Sequence, residues 1–213
     1  MFVKPILLLT LALMVGCNVT GSELSPQEEA LIATVKMERG MAAKAKSSGV
    51  SIERLTAVTP DYHEAPADGI VVNTRPKRGR VALAEMRDRL AGTPYRAYLL
   101  DDAFGTGPDK VAVVKRDDYG YLAIVRTDGI NHDLDHSKVM ERYKRWDAKY
   151  GLKLVGAGQD WLEAEFRNPP GDWLAFAKEV YEFCPDVVDQ GTGEVSVLAK
   201  EMEKSNTVYL WWD

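Results

Sequence analysis

Two histidines and two aspartates lie within five residues in the middle of the chain: His132, Asp133, Asp135 and His136. Imidazole nitrogens and carboxylate oxygens bind zinc and other divalent metals, so the cluster is a candidate metal site for a hydrolase. The same segment precedes an amphipathic helix, where an aspartate caps the first turn and favours the positive end of the helix dipole. The sequence contains no further group of ligands at a matching spacing, so nothing else in it supports the metal site. Both interpretations stay open.

Cys184 is a second candidate for chemistry. A cysteine acts as a nucleophile when a histidine base, here His132 or His136, lies beside it. Reactive thiols need an accessible, electropositive setting. Cys184 instead falls on the apolar face of a predicted helix, next to Tyr181 and just before a proline. This placement predicts a packed thiol.

A candidate pocket combines polar and aromatic residues. Its polar members are Asp186, Asp189 and Gln190, and its aromatic members are Trp161 and Trp212. Indole rings could stack on a sugar or a base while the polar groups fix the orientation of the ligand. The alternative is that the polar residues form a turn between two helices and the tryptophans belong to the core.

The dense basic segment of the chain precedes a predicted helix and contains Arg75, Lys77, Arg78 and Arg80. On a membrane-tethered protein it could rest on anionic lipid headgroups, at about 1 kcal/mol for each basic residue. It could also meet an acidic partner. A solvated loop is the simpler interpretation.

The surroundings of Cys17 resemble a processing site. Lys4 gives a positive start, residues 6–15 are almost entirely apolar, and Gly16 is a small residue before the cysteine. This order is typical of a signal peptide, and residues 13–17 read as a lipobox. The apolar segment is too short to cross a bilayer, which takes about 20 residues. We therefore predict a bacterial lipoprotein that is cleaved before Cys17 and lipidated on it.

Lipidation predicts attachment to a membrane of the cell envelope. Several acyl chains, such as palmitate, hold a protein durably on a membrane, whereas one chain holds it only marginally. Asn18 follows the cysteine. In a cell with two membranes, the absence of aspartate at this position predicts the outer membrane.

Charge and cysteine content narrow the class of protein. Cleavage removes one basic residue, Lys4, and leaves 26 basic residues against 32 acidic ones. This balance argues against general nucleic-acid binding, which needs a basic face. With Cys17 lipidated, Cys184 is the one remaining thiol, so we expect no internal disulfide. The length suits one well-buried domain with a tether.

Hydrophobic periodicity and turn residues predict the order of helices and strands. Residues 119–125 fit either element, and residues 57–68 are predicted to form a loop. Because residues 208–212 are large and mostly apolar, we expect the terminal strand in the centre of a sheet. The predicted helices are 26–47, 81–90, 137–150, 172–184 and 194–204, and the predicted strands are 52–55, 69–73, 95–100, 111–114, 152–157, 161–166 and 208–213.

These elements predict an α+β fold. It has a single mixed or antiparallel sheet of about six or seven strands, with helices packed mainly on one face. A signal peptide and an N-terminal helix precede it. The predicted organisation is a signal peptide at residues 1–16, a lipidated tether with a helix at 17–49, and the α+β domain at 50–213.

The C-terminal part of the sequence resembles a known family. Residues 181–191 and the terminal residues 209–213 are similar to the signature of the bacterial domain of unknown function 4253 family. The resemblance extends over roughly residues 50–213. It implies no catalytic residues, and His132 stands where the family has tyrosine, which weighs against an inherited metal role. Earlier blocks of the family resemble residues 94–98, 127–131, 146–147 and 160–161.

Three hypotheses for function follow. The leading one is a membrane-anchored, non-enzymatic binding or interaction protein of the cell envelope. Its specific form is an immunity-like role against a secreted toxin, since an acidic face suits a basic protein partner. The second is a metal-dependent hydrolase that uses the cluster from His132 to His136, and this hypothesis alone requires a divalent metal. The third is a structural envelope protein without a ligand. We expect no other cofactor and no nucleic-acid partner.

Overall fold

The computed structural model describes residues 23–213, so the predicted signal peptide and Cys17 lie outside the described residues. Two short helical turns, Ile130–His132 and Val187–Thr192, join the longer elements. The strands are β1 (Ser51–Val58), β2 (Glu64–Asn73), β3 (Arg96–Asp101), β4 (Lys110–Val114), β5 (Leu152–Ala157), β6 (Trp161–Phe166) and β7 (Thr207–Trp211). The helices are α1 (Pro26–Thr34), α2 (Arg39–Lys46), α3 (Gly79–Arg89), α4 (Asp118–Val125), α5 (His136–Tyr150), α6 (Trp173–Phe183) and α7 (Val195–Ser205).

The strands form one mixed sheet in the order β1-β2-β4-β3-β5-β6-β7. Neighbouring strands are antiparallel except β3 and β5, which run parallel and meet where Leu99 lies opposite Gly156. Near this contact, Arg87 of α3 donates hydrogen bonds to the carbonyl oxygens of Ala97 at 3.1 Å and Leu154 at 2.6 Å. The guanidinium thus supplies donors where the ladder between the two strands is short. The predicted single-sheet α+β fold is confirmed.

Each face of the sheet carries a buried apolar cluster. The larger cluster lies under α4, α5, α6 and α7 and contains Tyr121, Tyr143 and Phe176. The second lies under α1, α2 and α3 and contains Leu99 and Val113. No fully buried residue of β6 or β7 belongs to this second cluster. The N-terminal helices therefore cover the second face over the first five strands and leave its β6–β7 part open.

The helix predicted over residues 26–47 is divided into α1 and α2. The predicted capping box of Ser25 and Glu28 is present. Glu28 is buried and also accepts hydrogen bonds from Lys46 Nζ at 2.5 Å and from the Ile52 amide at 3.0 Å. A straight helix would separate Glu28 and Lys46 by about 27 Å. The break, where Lys36 has φ of 51°, lets α2 fold back so that this contact forms.

The predicted loop over residues 57–68 is wrong at both ends. β1 continues to Val58, and β2 begins at Glu64 and includes Pro66. Pro66 pairs with Thr56 of β1, in the part of β2 that has no second neighbour, because β4 pairs only with Gly69–Asn73. A missing N–H is tolerated there, since it interrupts no ladder on the other side.

The terminal strand β7 lies at an edge of the sheet, so the predicted central position is wrong. Val208 and Leu210 are buried beneath the helices, and Trp212, just after the strand, is buried with them. Alternation along the strand places Tyr209 and Trp211 on the opposite face. Both are half-buried, and Trp211, at the edge of the sheet, also packs against the larger cluster. Tyrosine and tryptophan have polar edges and suit partly wet surfaces, so an aromatic sequence does not require burial on both sides.

Candidate functional site

A cleft of about 510 Å³ opens on the second face of the sheet, beside β6 and β7. The start of α3 and the loop after β3 form one wall, and the two strands form the floor. Its lining combines four aromatic residues, Phe104, Trp161, Tyr209 and Trp211, with three acidic residues, Asp101, Asp102 and Asp160, and with Arg80 and Leu99.

The floor of the cleft is aromatic. Trp161 of β6 pairs with Trp211 of β7. Tyr209 lies two residues before Trp211, and alternation along a strand therefore places these three side chains on one face. The rings of Trp161 and Tyr209 stack with their centres 5.9 Å apart and their planes at 25°. At the rim, Phe104 exposes 79% of its surface.

Arg80 lies in the cleft as one half of an ion pair. Its two terminal nitrogens donate to Glu163 of β6 at 2.9 and 2.7 Å, and Asp102 lies 3.6 Å from its Nε atom. Glu163 is buried. This bidentate contact raises the pKa of Arg80, so the guanidinium is already matched by carboxylates.

The remaining acidic residues make the cleft electronegative. Among residues 23–213, Asp101 and Asp160 form no ion pair within 4 Å. Burial raises the pKa of Tyr209 to about 12, and the charges of Glu163, Asp160 and Asp102 contribute in the same direction. The cleft can therefore present aromatic faces and hydrogen-bond acceptors to a ligand.

Asp109 fixes the wall of the cleft. It is 2% exposed and accepts hydrogen bonds from the Gly79 amide at 2.7 Å and from the Ala103 amide at 3.1 Å. One carboxylate thus joins the start of α3, which carries Arg80, to the loop after β3, which carries Asp102 and Phe104. A side chain held at both oxygens gives the wall a defined position.

The five predicted pocket residues lie in different surroundings. Asp186 and Gln190 are together, with Gln190 Nε2 donating to Asp186 at 3.2 Å. Asp189 accepts the Tyr181 hydroxyl at 3.0 Å instead. Trp161 lines the cleft, whereas Trp212 is buried on the opposite face. The backbone of Gly129 contacts the Trp212 indole, and a Cβ on that glycine would lie 2.7 Å from the ring.

Asp186 is a buried junction rather than part of the cleft lining. Its Oδ2 atom lies 2.9 Å from His132 Nε2 and accepts the Asp213 amide at 2.9 Å. Burial by itself would raise the pKa of Asp186, but hydrogen bonds from Asp213, His132 and Gln190 together lower it. The carboxylate thus connects the turn at Ile130–His132, the turn at Val187–Thr192 and the C-terminus.

The predicted metal ligands have separate partners. His132 contacts Asp186, and His136 Nδ1 lies 3.1 Å from the carbonyl oxygen of Thr127. Asp135 caps α5 by accepting the Lys138 amide at 3.0 Å. In the described part of the chain, no group of three or more His, Cys, Asp or Glu side chains is placed to hold a metal ion.

Asp133 serves the turn before α5 through its backbone. It lies at the C-terminal end of the turn Ile130–His132 with φ of 57°. Its carbonyl oxygen accepts Lys138 Nζ at 2.6 Å. A short acidic side chain tolerates this left-handed conformation, so the local backbone accounts for the residue type.

Cys184 is fully buried at the end of α6. Its thiol donates to the carbonyl oxygen of Trp211 at 3.0 Å. Burial raises the pKa of the thiol to about 12, so it is protonated at neutral pH and a poor nucleophile.

The residues of the basic segment have different surroundings in the structure. Arg78 pairs with Glu85 at 3.2 Å, and Arg80 lines the cleft. Arg75 and Lys77 are exposed.

Sequence reasoning missed most of the cleft. It singled out Trp161 and Arg80 but assigned Tyr209 and Trp211 to a buried strand. The available signal was the period-two alternation of aromatic and aliphatic residues in 207–212, with Tyr209 and Trp211 on one face and Val208 and Leu210 on the other. Asp101 ends β3, Asp102 follows it, and Asp160 lies just before β6, so nothing local in the sequence indicates that these three residues line one cleft.

Comparison with curated proteins and with solved structures gives no match to this sequence. Within residues 23–213, no helix has the length and apolar character needed to cross a membrane. The family model described as "Domain of unknown function (DUF4253)" matches residues 110–213, from β4 to the C-terminus. The resemblance expected from the C-terminal signature is confirmed over this range, which contains Asp160, Trp161, Tyr209 and Trp211 of the cleft. The match supports the DUF4253 family for residues 110–213, which are just under half of the chain.

Proposed function

We propose that this chain is a lipid-anchored binding protein of the cell envelope, and that its ligand binds in the cleft beside β6 and β7. The cleft is the observation that carries the proposal. Its volume of about 510 Å³ lies within the range of roughly 300–1,000 Å³ that is typical of small-molecule sites. Its lining also has the usual character of such sites, aromatic surface with a few convergent polar groups.

The groups in the cleft are suited to holding and orienting a ligand. Trp161 and Tyr209 offer stacked rings on adjacent strands, and Arg80 is fixed by two hydrogen bonds to Glu163. Strands and a hydrogen-bonded wall are rigid supports, so binding would require little ordering of the protein. The proposed function therefore requires the cleft to bind a ligand but not to catalyse a reaction.

The proposed membrane anchor is supported by the sequence that precedes the described residues. The segment that ends at Cys17 has the charge, apolar run and small residue of a lipoprotein signal. Lipidation would hold the domain at a membrane surface, where a binding site faces ligands of the envelope. The anchor and the cleft are separate claims, and each can be tested without the other.

Tryptophan fluorescence tests the binding claim, because Trp161 and Trp211 line the cleft. Full-length protein in detergent would be titrated with neutral disaccharides, organic cations, carboxylates and nucleotides. We expect saturable quenching by one class and at least tenfold weaker binding of that class after Phe104→Ala. Leu174→Ala is the matched control, since Leu174 is an exposed apolar residue of α6 outside the cleft lining. No saturable response, or equal binding by both variants, would contradict the proposal.

A further inference from the structure

We infer that the ligand of the cleft is an organic cation, an ammonium or guanidinium group on a small molecule or on a basic side chain. The inference rests on the proposed function and names the chemical class that the cleft recognises. Three observations support it: the aromatic floor, the excess of carboxylates over basic groups in the cleft lining, and the ion pair that Arg80 already forms with Glu163.

The aromatic floor is suited to a cation. The face of an aromatic ring is electron-rich and attracts a cation within about 6 Å of its centre, with tryptophan the strongest. Trp161, Tyr209 and Trp211 lie on one face of two adjacent strands. Phe104 stands exposed at the rim. Such a group of rings is the arrangement that recognises quaternary ammonium ligands.

The charge of the cleft points the same way. Asp101, Asp102 and Asp160 line it and Glu163 pairs with Arg80, which is the one basic residue of the lining. Lys77 lies outside the lining, with its side chain against Gly105 next to Phe104. Arg80 already donates two hydrogen bonds to Glu163 and has Asp102 at 3.6 Å. An anion would have to displace these contacts and face the other carboxylates. A cation would meet carboxylates and rings together.

Shape alone does not separate a cation from a neutral ligand, because a sugar can stack on the same rings. Charge separates them. A clustering of carboxylates beside low-dielectric walls focuses the negative potential and concentrates cations in the cleft. A ligand with the same shape and no charge would lose that attraction, so a matched pair of ligands is the decisive probe.

The test compares choline with 3,3-dimethylbutan-1-ol, its neutral isostere, by titration of full-length protein in detergent with tryptophan fluorescence. We expect choline to bind at least tenfold more tightly than the alcohol, and its affinity to fall with added salt. Equal affinity for the two compounds would overturn the inference. Spermidine and the peptide glycyl-arginyl-glycine form two further arms, and the tighter of them identifies a free amine or a basic protein segment as the source of the cation.

Variants that remove carboxylates test whether the charge of the cleft lining causes the preference for a cation. The double variant Asp101→Asn with Asp160→Asn should weaken choline binding at least tenfold and flatten its salt dependence. Both residues are exposed, so far-UV circular dichroism and the urea midpoint should not change. Glu141→Gln is the matched control, because Glu141 is an exposed acid of α5 whose helix packs on the opposite face. Unchanged choline binding in the double variant would overturn the inference.

A neutral disaccharide, cellobiose, separates this inference from the proposed function. Saturable binding of cellobiose alone, weakened by Phe104→Ala, would overturn the cation assignment and leave the cleft as a binding site. Absence of binding by every probe would overturn both. Binding of choline that depends on Asp101 and Asp160 supports both.

Discussion

Asp186 connects three segments that are distant in sequence, through contacts with His132, Gln190 and the Asp213 amide. Asp186→Asn keeps the size of the side chain but removes its charge and replaces one acceptor oxygen with a donor. We expect the free energy of unfolding at pH 7 to fall by about 1–3 kcal/mol, the usual cost of a buried polar group that loses its partner. Urea denaturation measures this change.

The same variant has an expected pH dependence. Because the folded-state pKa of Asp186 is lowered, its stabilisation is complete above the ordinary carboxyl pKa of about 4 and is lost as the pH falls through the lowered value. The stability difference between wild type and Asp186→Asn should narrow below pH 4. Asp189→Asn is the control, since that carboxylate accepts only an exposed hydrogen bond from Tyr181. A difference that stays constant down to pH 2 would contradict this account.

At the scale of elements, the junction of β3 and β5 is a tightly packed contact of the sheet. A Cβ on Gly156 would lie 2.2 Å from the carbonyl oxygen of Leu99. We expect Gly156→Ala to lower the free energy of unfolding by about 1–3 kcal/mol, because the strands must move apart. Gly171→Ala is the control, since its Cβ would meet no atom within 4 Å. Similar urea midpoints for the two variants would show that the junction tolerates extra volume.

The elements themselves were predictable where the signal is local. Val139, Tyr143, Trp146 and Tyr150 repeat at helical spacing, and all four are buried on one face of α5. The order of the strands was not predictable, because the junction of β3 with β5 involves residues far apart in sequence. The break between α1 and α2 was missed for a related reason, since the contact of Glu28 with Lys46 depends on the fold.

The cleft could not be predicted from the sequence for the same reason, because its residues are far apart in the chain. Arg80 reads as part of a basic segment, yet its partner Glu163 lies 83 residues later. Asp102 and Asp160 come from different hairpins and line the same cleft only because of the strand order. Aromatic residues in β7 indicate an apolar strand, and the sequence alone does not say that one face of that strand lacks a helix. Local patterns thus identified the elements, whereas the site depends on their assembly.

At the scale of the molecule, the family match covers only part of the residues that form the sheet. Residues 110–213 contain β4 and β5, but β3, which lies between these strands, precedes the match. We therefore expect a fragment of residues 110–213 not to fold by itself, because β4 would lose both of its neighbours. Far-UV circular dichroism and amide proton dispersion compare this fragment with residues 23–213. A cooperative unfolding transition in the shorter fragment would show that β4 finds another arrangement.

The proposed lipid anchor at Cys17 is also a property of the whole chain. If Cys17 is lipidated, Cys17→Ser should abolish incorporation of labelled palmitate and move the protein from the membrane fraction to the soluble fraction. Cys184→Ala is the matched control and should keep the label, because burial raises the pKa of the Cys184 thiol to about 12 and shields it from acylation. Label that persists in Cys17→Ser, or is absent from the wild type, would remove the lipid anchor from the proposal. The cleft would then still be tested by its ligands, since every residue that lines it lies within residues 80–211.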